Sequence, residues 1–556
     1  MTIVDAADGG GLRAVVTFEG AGPAPMRPTL WTHGKTLRRP SRHVWAIAVA
    51  GAVGWCLWDA GIGRQHVTNA GGFGLMARFF GAAVRPRVGA AFLADVARDA
   101  AVTVSYAAIA TLLSLVIGFL GAAFLSERLR STQLASNPRT RPVWRRALRF
   151  PTRSLISVPR GVHEAVWALL LINVLGRDPL VAVLAIGIPF GATTAKVYAE
   201  LIDESPRGTY ALLRTSGGSR IGSFLYGVGP LVSRDFLTYG FYRFECAMRS
   251  AVVLGMIGAG GIGFQLGISF QGLQYHEMWT CLYAIIILGI LAEQWSAALR
   301  RTSSRVTLRR SLAAAICLLG ASWWFLRVRP WNLWSPRTRT LGHRLVLEML
   351  PPRLPKGGSR ALLSAVRESL QMSFLAIVIA IVLAVPLAYA GTRWRRSPSR
   401  NVPARFLALA IRSIPPTVWA LLVLFVVLPG VLPGAIALGI YTAGVLARLF
   451  GDVLENSTND ARDHLQSGGS TATSASLYAT LPTIAPVWTS LALYRWEVAA
   501  RESVVVGVVG AGGLGRLLSA QINAFAFAAL STTLLAIIVL TIVVDRVSQS
   551  ARRALR

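Results

Sequence analysis

Acidic residues are scarce in this chain of 556 residues, which contains 25 Asp and Glu against 57 Lys and Arg. Cysteine and histidine are also rare, with four and seven copies. No two cysteines have the spacing of a zinc site or a redox dithiol, so we expect no metal site and read the cysteines as small buried hydrophobes. The histidines form no recognisable catalytic cluster, which argues against an enzyme. The cysteines are Cys56, Cys246, Cys281 and Cys317.

Apolar residues are abundant: 53% of the chain is hydrophobic, only 15% is charged and the mean hydropathy is +0.52. This composition is typical of an all-α protein that crosses a membrane several times. A crossing helix needs about 20 apolar residues, and about twelve such stretches occur. The expected spans are 44–62, 99–125, 155–175, 179–199, 228–258, 277–298, 311–328, 362–391, 413–430, 433–450, 480–510 and 524–545.

The placement of the basic residues predicts the topology. Arginine clusters at 128–149, 300–310 and 393–400 follow even-numbered spans, so they share one side, which the positive-inside tendency makes the cytoplasm. We therefore interpret the net charge of +32 as membrane topology and expect no nucleic-acid partner. Residues 1–42 read as a cytoplasmic tail rather than a cleaved signal, and both termini are expected in the cytoplasm. The basic segment 327–360 falls outside, where it would face an anionic partner, unless the seventh span is misplaced.

The chain contains an internal repeat. VWALL at Val166 recurs at Val418, and YRFECAMRSAVVLGMIGAGGIG at Tyr242 recurs as YRWEVAARESVVVGVVGAGGLG at Tyr494, in both cases 252 positions later. We expect two homologous halves, 43–300 and 301–556, each with about six spans. An even number of spans gives both halves the same orientation, so they should be related by a pseudo-twofold axis along the membrane normal, with a pathway between them.

The repeated glycines spell G-x-G-x-x-G, the pattern of a dinucleotide-binding loop. Such a loop must follow a strand and open a helix in a βαβ unit, whereas these glycines end a long apolar segment. We therefore expect them to let a span end, bend or pack closely. They are Gly258, Gly260, Gly261 and Gly263, and in the second half Gly510, Gly512, Gly513 and Gly515.

The Y-R-aromatic-E and GAGG-x-G signature, together with a polar Ser-Gly-Gly-Ser loop before each fifth span, resembles the permease of phosphonate-type ABC importers. The resemblance implies a type I importer fold, present twice, in a multi-pass protein of the bacterial plasma membrane. It also implies two copies of an ABC ATPase subunit as partners, an extracytoplasmic substrate-binding protein, and ATP and Mg bound by the ATPase rather than by this chain. Membrane lipid is the remaining expected partner.

In that family each polar loop forms a short coupling helix that docks on the ATPase, usually with a glutamate. Here Ala211 takes the place of the glutamate in the first half, and the second half also lacks it. The alternative is an ordinary polar turn. The coupling residues implied by the resemblance are Ala211, Leu212, Arg214, Gly217, Gly218, Asp463, Gly468 and Gly469.

Charged residues within the fifth span of each half are the candidate path residues. Arg243 lies about 20 Å along its helix from Pro230, where an ionisable group is costly and faces a partner or a water-filled path. We expect Glu245 to pair with Arg249 and Glu497 with Arg501, which leaves Arg243 and Arg495 uncompensated. Arginine suits a phosphate-like anion because its fork donates to two oxygens. The path set is Arg243, Arg249, Arg495 and Arg501; purely structural pairing is the alternative.

Other assignments stay open at this stage. A methionine or quaternary-amine importer carries similar glycines, and an ion-coupled secondary transporter also has repeats, although it should show more intramembrane acids. Trp167 and Trp419, in the repeated VWALL, favour packing or interfacial anchoring. Glu200 and Asp452 are expected as solvated charges at helix ends.

Overall fold

The computed structural model describes residues 42–64, 66–126, 158–206, 208–301, 304–392, 398–457 and 460–555. The regular elements of these residues are helices, apart from an isolated bridge between Thr68 and Val427. Residues 1–41 of the expected tail, the arginine cluster at 128–149 and residues 393–397 of the cluster at 393–400 lie outside the described residues.

Most helices of one half have a counterpart in the other. Those of the first half are α1 (Arg42–Asp59), α2 (Ala70–Ala82), α3 (Ala90–Leu125), α4 (Glu164–Leu175), α5 (Pro179–Glu204), α6 (Gly208–Thr215), α7 (Gly229–Leu254), α8 (Ile262–Gln271) and α9 (Tyr275–Arg301). Those of the second half are α10 (Arg305–Leu326), α11 (Pro336–Met349), α12 (Gly358–Gly391), α13 (Pro398–Ser413), α14 (Pro416–Val426), α15 (Val431–Asn456), α16 (Asp460–Ser467), α17 (Leu481–Val506), α18 (Gly513–Asn523) and α19 (Phe527–Leu555). The order of elements confirms the duplicated all-α fold.

Fewer straight spans are present than the twelve expected. Six described helices are long and apolar enough to cross a membrane, namely α3, α5, α9, α12, α15 and α19, and counting bent pairs as single spans raises the number to nine. Helices α1 and α10 are not among them, and α4 has only 12 residues. The twelve expected spans are therefore not all straight helices, because several apolar segments are bent or short.

The segment expected as the ninth span is sharply bent. Residues Asn401–Ser413 and Pro416–Val426 meet at 91°. Pro415 and Pro416 lack backbone N–H groups, so the helix cannot continue through them. The Trp419 indole Nε1 donates to the Ile411 carbonyl across the bend at 3.2 Å, and Trp167 Nε1 donates to the Pro159 carbonyl at 3.4 Å. The two repeated tryptophans therefore make equivalent hydrogen bonds, each to a carbonyl eight residues earlier in the chain.

The halves exchange helices at their interface. Cys56 of α1 packs against Met372 and Leu438 of the second half, and α10 packs in return on α3. In the core of the interface, Val166 of α4 packs against Val504 of α17. Val418 of α14 packs likewise on α7 through Val252. Helices α4 and α14 therefore each share a hydrophobic cluster with the fifth span of the opposite half.

Small residues bring the main spans of each half close together. A Cβ added to Gly187 of α5 would lie 2.6 Å from the Leu113 side chain of α3. At the equivalent Gly439 of α15 it would lie 2.7 Å from Ile379 of α12. These glycines bring the helix backbones into contact. Helix α7 packs against the first tight pair, and α17 packs against the second.

Candidate functional site

The candidate path residues lie on α7 and α17, which occupy equivalent positions in the two halves. Arg243 and Arg495 are both buried, with 8% and 9% of their surface exposed. Arg243 is 14 residues from the start of α7, about 20 Å along the helix. A permanently charged guanidinium at this depth needs compensation by aromatic rings, hydroxyls, acids or a bound anion.

Arg243 lies among aromatic groups. Its Nη2 donates to Tyr239 Oη at 2.5 Å, and its guanidinium lies 4.9 Å from the ring centroid of Phe190. Its buried Nε has no hydrogen-bond partner, and no carboxylate of the described residues lies within ion-pair distance. A cation held by ring faces and left with an unused donor is suited to receive an anion.

Arg495 is not the uncompensated cation that we expected. Its Nη2 lies 3.8 Å from Oε2 of Glu502, seven residues further along α17. Its guanidinium is 5.9 Å from the Tyr441 ring centroid, and its buried Nε and Nη2 have no hydrogen-bond partner among the described residues. Glu502 partly neutralises Arg495, whereas the equivalent first-half position is Ser250, whose hydroxyl donates to Glu164. The two arginines therefore have different electrostatic surroundings.

The expected pair of Glu245 with Arg249 is confirmed, at 3.4 Å. The Nη1 atom of Arg249 also donates to Tyr441 Oη of the second half at 3.4 Å. Arg249 thus shares Tyr441 with Arg495 and lies between the halves.

Glu245 belongs to a larger group of charges, the Glu293 cluster. Arg412 of α13 lies 3.6 Å from Glu245 and also forms an ion pair with Glu293 of α9. Arg448 of α15 pairs with the other oxygen of Glu293 at 2.5 Å. Residues from both halves line a cavity of about 20 Å³ here, roughly the size of one water molecule. The cluster comprises Glu245, Arg249, Glu293, Arg412 and Arg448.

The second half contains a related Asp545 cluster with different pairings. Glu497 pairs with Arg552 of α19 at 2.5 Å and not with Arg501, so that expected pair was wrong. Arg501 instead donates to the backbone carbonyls of Glu497 and Arg160. Arg160 lies 4.0 Å from Asp545, whose buried Oδ1 accepts no hydrogen bond from the residues that the structure describes. The cluster comprises Arg160, Glu497, Arg501, Asp545 and Arg552.

Sequence reasoning missed the contacts between the halves, although a signal was present. Arg160 and Arg412 are 252 positions apart, as are Glu293 and Asp545, and Lys196 and Arg448. Applying the repeat offset to every charged residue would have found these matches. Asp452 extends the Glu293 cluster, because it lies 3.9 Å from Arg448. Glu200 lies 3.7 Å from Lys196 of its own helix, and this pair is separate from the Asp545 cluster.

Two equivalent tyrosines mark open space beside the arginines. Tyr242 and Tyr494 are 43% and 50% exposed, and they are close enough to interact electrostatically. Each precedes a buried arginine in the chain. Parts of both tyrosine side chains are therefore left uncovered by the rest of the protein, close in sequence to the buried arginines.

The repeated glycines form a turn after each fifth span. Gly258 and Gly510 have φ values of 112° and 118°, which disfavour other residues. A Cβ added to Gly263 or Gly515 would lie 1.9 Å from the carbonyl oxygen of Val252 or Val504. Among the other glycines, Gly260, Gly261, Gly512 and Gly513 also have positive φ. Since no strand precedes the motif, the structure agrees with a turn between helices rather than a dinucleotide loop.

The turns are capped in the same way in both halves. Thr103 Oγ1 accepts from the Ile262 N–H at 3.0 Å, and Ser369 Oγ accepts from the Leu514 N–H at 2.9 Å. These bonds satisfy N–H groups at the starts of α8 and α18, which have no intrahelical acceptor.

The coupling loops form two short helices, α6 and α16, of eight residues each. Gly217 and Gly469 follow them with φ values of 87° and 90°, so these glycines are structurally equivalent. Leu212 is 68% exposed, and Asp463 and Gly468 are also exposed. Arg214 is half-buried and donates to the carbonyl of Gly218, which holds the loop. Ala211 and Asp463 occupy matching positions, so the two helices differ in charge.

The part of the chain that the structure describes has no evident metal-binding site. No group of three or more His, Cys, Asp or Glu is placed to hold an ion there. The four cysteines are free: Cys56 and Cys281 are buried, Cys246 is half-buried and Cys317 is exposed.

Comparison with known proteins gives consistent matches. The family described as "binding-protein-dependent transport system inner membrane component" matches twice, over residues 143–302 and 376–556. No solved structure matched the chain.

Three relatives illustrate the similarity. The phosphate-import permease protein PhnE of Mycolicibacterium smegmatis is 29% identical over 79% of this chain and 84% of its own length. The phosphite transport system permease protein PtxC of Stutzerimonas stutzeri is 30% identical over 37% of this chain and 74% of its own. A putative cryptic phosphonate transport system permease protein, PhnE2 of Escherichia coli, is 35% identical over 21% of this chain and 97% of its own.

Two observations support one assignment: a duplicated helical membrane fold, and two family domains at the positions of the repeat. Members of this family are transport permeases that act with an ATPase and a substrate-binding protein, and they are not enzymes. The chain belongs to the binding-protein-dependent transport system inner membrane components, as a membrane-embedded ABC importer permease that carries both permease domains in one polypeptide.

Proposed function

We propose that this permease moves phosphate, phosphite or a phosphonate into the cell. The printed names of the relatives supply the substrate class. The observation in this chain that carries the proposal is the pair of buried arginines, Arg243 and Arg495. Each has at least one guanidinium nitrogen without a hydrogen-bond partner in the part of the chain that the structure describes. A tetrahedral oxyanion supplies acceptors to both, and a guanidinium donates to two of its oxygens together.

The proposed path runs between α7 and α17, past Tyr242 and Tyr494. Arg243, Arg249 and Arg495 attract the anion, and the tyrosine hydroxyls offer further hydrogen bonds. Arg501 was also expected in the path, but its donation to the Arg160 carbonyl favours a role in joining the halves. Because the arginines are fixed in place before the anion arrives, little reorganisation is needed for binding.

The energy for transport comes from ATP and Mg bound to two copies of an ATPase subunit. In this proposal one copy docks on α6 and the other on α16, which places these helices and both termini in the cytoplasm. The glycine turns then lie at the outer end, because they end the helices that begin beside the coupling loops. The substrate-binding protein delivers the anion there. A single chain supplies both permease halves, so one copy is needed per transporter.

A reconstituted uptake assay tests this function. The full chain, with its ATPase and binding protein, is placed in proteoliposomes, and ATP-dependent uptake of labelled phosphate is measured. Unlabelled phosphate, phosphite and methylphosphonate compete in separate arms, as do methionine and glycine betaine. We expect competition by at least one of the three oxyanions and none by methionine or betaine.

Two outcomes would contradict the proposed function. Competition by methionine or betaine alone would assign the chain to another importer class. Uptake driven by a proton gradient without any ATPase would make it a secondary transporter.

A further inference from the structure

The segment from residue 327 to 360, the basic segment, lies at the same end of the molecule as the glycine turns. Its Arg353 N–H donates to the Ala528 carbonyl at 2.8 Å, and Thr532 donates to the Arg353 carbonyl at 2.6 Å. These bonds attach the segment to the first turns of α19, next to α18. The path between the halves and the coupling helices do not include this segment, so its chemistry is not explained by transport.

The charge of the basic segment is almost entirely positive. It contains eight cations and a single acid, Glu348, which pairs with Arg344 at 2.6 Å. No other cation of the segment has an acidic partner within ion-pair distance among the described residues. All eight basic residues are exposed. The cations are Arg327, Arg329, Arg337, Arg339, Arg344, Arg353, Lys356 and Arg360.

Large apolar side chains are exposed beside these cations. Trp324, at the end of α10, is 81% exposed, and Trp331 and Trp334, in the 3-10 turn that follows, are 66% and 62% exposed. Leu347 and Leu350 are 57% and 61% exposed. Tryptophan is enriched where hydrocarbon meets the lipid headgroups, and arginine beside apolar residues is typical of helices that lie in that interface.

Helix α11 has the form of an interfacial helix. Leu345 and Met349 pack toward the core of the second half, and Gly342 lies against Val174 of α4. Arg339, His343 and Leu347 are exposed on the outer side. One face is thus fixed to the protein, while the other presents cations and apolar groups together.

The equivalent element of the first half lacks this character. Helix α2 contains one cation, Arg78, and otherwise consists of small, apolar and aromatic residues. Among the cations that flank it, Arg87 pairs with Glu277, and Arg64 stacks 3.8 Å from the Trp58 ring centroid. The basic segment is therefore a property of one half and not of the repeat.

We propose that the basic segment binds anionic phospholipid of the surrounding membrane. The headgroup phosphates accept from the arginines while the tryptophans and leucines enter the interface between headgroups and acyl chains. The combination of exposed Trp and Leu with unpaired Arg, beside the ends of the spans, favours lipid over an acidic protein surface. The inference does not depend on the transported substrate.

Lipid titration of the full chain in detergent tests this inference. Binding of phosphatidylglycerol is measured by native mass spectrometry, with phosphatidylcholine as the neutral probe. In the test variant, Arg337→Gln, Arg339→Gln and Arg353→Gln are combined. Since a cation near a membrane surface contributes about 1 kcal/mol, we expect the triple variant to lose about a hundredfold in phosphatidylglycerol affinity.

Matched variants separate charge from damage to the fold. Arg78→Gln, on the equivalent helix α2, should leave phosphatidylglycerol binding unchanged. Lysine at the same three positions should retain most of the affinity, and phosphatidylcholine binding should be equal in all variants. If the triple glutamine variant does not fold, the three single variants replace it, each with an expected loss of about fivefold.

Three results would overturn the inference. The first is unchanged phosphatidylglycerol affinity in the folded triple variant. The second is complete competition by millimolar inorganic phosphate, which would indicate a site for a free anion. The third is intact lipid binding combined with lost docking of the transport system's binding protein, which would make the partner a protein.

Discussion

The Glu293 cluster and the Asp545 cluster occupy equivalent positions in the two halves, yet they differ in strength. In the first, Glu293 bridges Arg412 and Arg448 of the opposite half. In the second, Asp545 lies 4.0 Å from Arg160, and Lys196 pairs with Glu200 of its own helix. Aspartate is one methylene shorter than glutamate, and lysine lacks the two-pronged fork of arginine. Among the described residues, one interface between the halves is therefore held by a chain of connected ion pairs. The other has one long ion pair beside the hydrogen bond from Arg501 to the Arg160 carbonyl.

The comparison shows which features the two halves of the duplication still share. The helices, the glycine turns and their hydroxyl caps match between the halves, whereas the charge partners do not. Backbone geometry is set by many small contacts together, so it tolerates substitutions. An ion pair depends on two side chains, and a change of one methylene is enough to alter it. We therefore expect the two interfaces to respond differently to matched substitutions.

The largest expected effect is on stability at the Glu293 cluster. Glu293→Gln leaves Arg412 and Arg448 without their shared carboxylate in a mostly buried site, at a cost of about 3 kcal/mol. Asp545→Asn removes a longer, more exposed pair, at a cost of about 1 kcal/mol or less. Thermal unfolding of the full chain in detergent measures both. Equal losses would show that the chain of ion pairs does not stabilise its interface more than the long pair does.

Substitution of the path arginines should affect uptake and stability in different ways. Arg243→Gln should lower oxyanion uptake by about tenfold to a hundredfold, because a charged hydrogen bond to the anion is worth about 1.5–3 kcal/mol. Its stability should hold, since an unpaired buried cation is removed. Arg495→Gln should lower uptake less and also lower the unfolding temperature, because Glu502 loses its partner.

Uptake in proteoliposomes and thermal unfolding on the same preparations provide the two measurements. Arg243→Lys, which keeps the charge but loses the fork, should fall between wild type and Arg243→Gln. Unchanged uptake in both glutamine variants, with a stable ATPase complex, would remove these arginines from the path.

The hydroxyl caps should behave alike in the two halves. Thr103→Val and Ser369→Ala each leave one N–H group at a helix start without its acceptor, so each should cost about 1 kcal/mol. Unfolding midpoints in detergent measure the two losses. A difference of more than about 1 kcal/mol between them would show that the turns are not equivalent in energy.

The smallest expected effect concerns Glu502. Glu502→Ser copies the first-half residue Ser250 and frees Arg495 from its carboxylate. We expect a lower half-saturating oxyanion concentration, by a few-fold, because the arginine no longer shares its charge. Concentration dependence of uptake gives this value, with Glu502→Asp as the control that retains the charge. A higher half-saturating concentration would mean that Glu502 positions Arg495 rather than competing for it.

Some of the site could be predicted because its signal is local. Glu245 and Arg249 are four residues apart on one helix, so their pairing follows from helical geometry. The same rule failed for Glu497 and Arg501, although the spacing is identical. In the second half, Glu497 instead accepts from Arg552 of α19, which lies 55 positions further along the chain. Helical spacing within α17 cannot predict a partner from another helix.

The sequence alone determined the duplication, the offset of 252 positions, the apolar helices and the positions of Arg243 and Arg495 along their helices. These features follow from repeats, composition and helix periodicity, each of which acts over short stretches of chain. Only the tertiary structure decided the bend at Pro416, the exchange of α1 and α10 between halves, and the partners of Arg412, Arg495 and Glu497. Those partners depend on which helices pack together and on side-chain reach across the contact, and neither is encoded in any single segment.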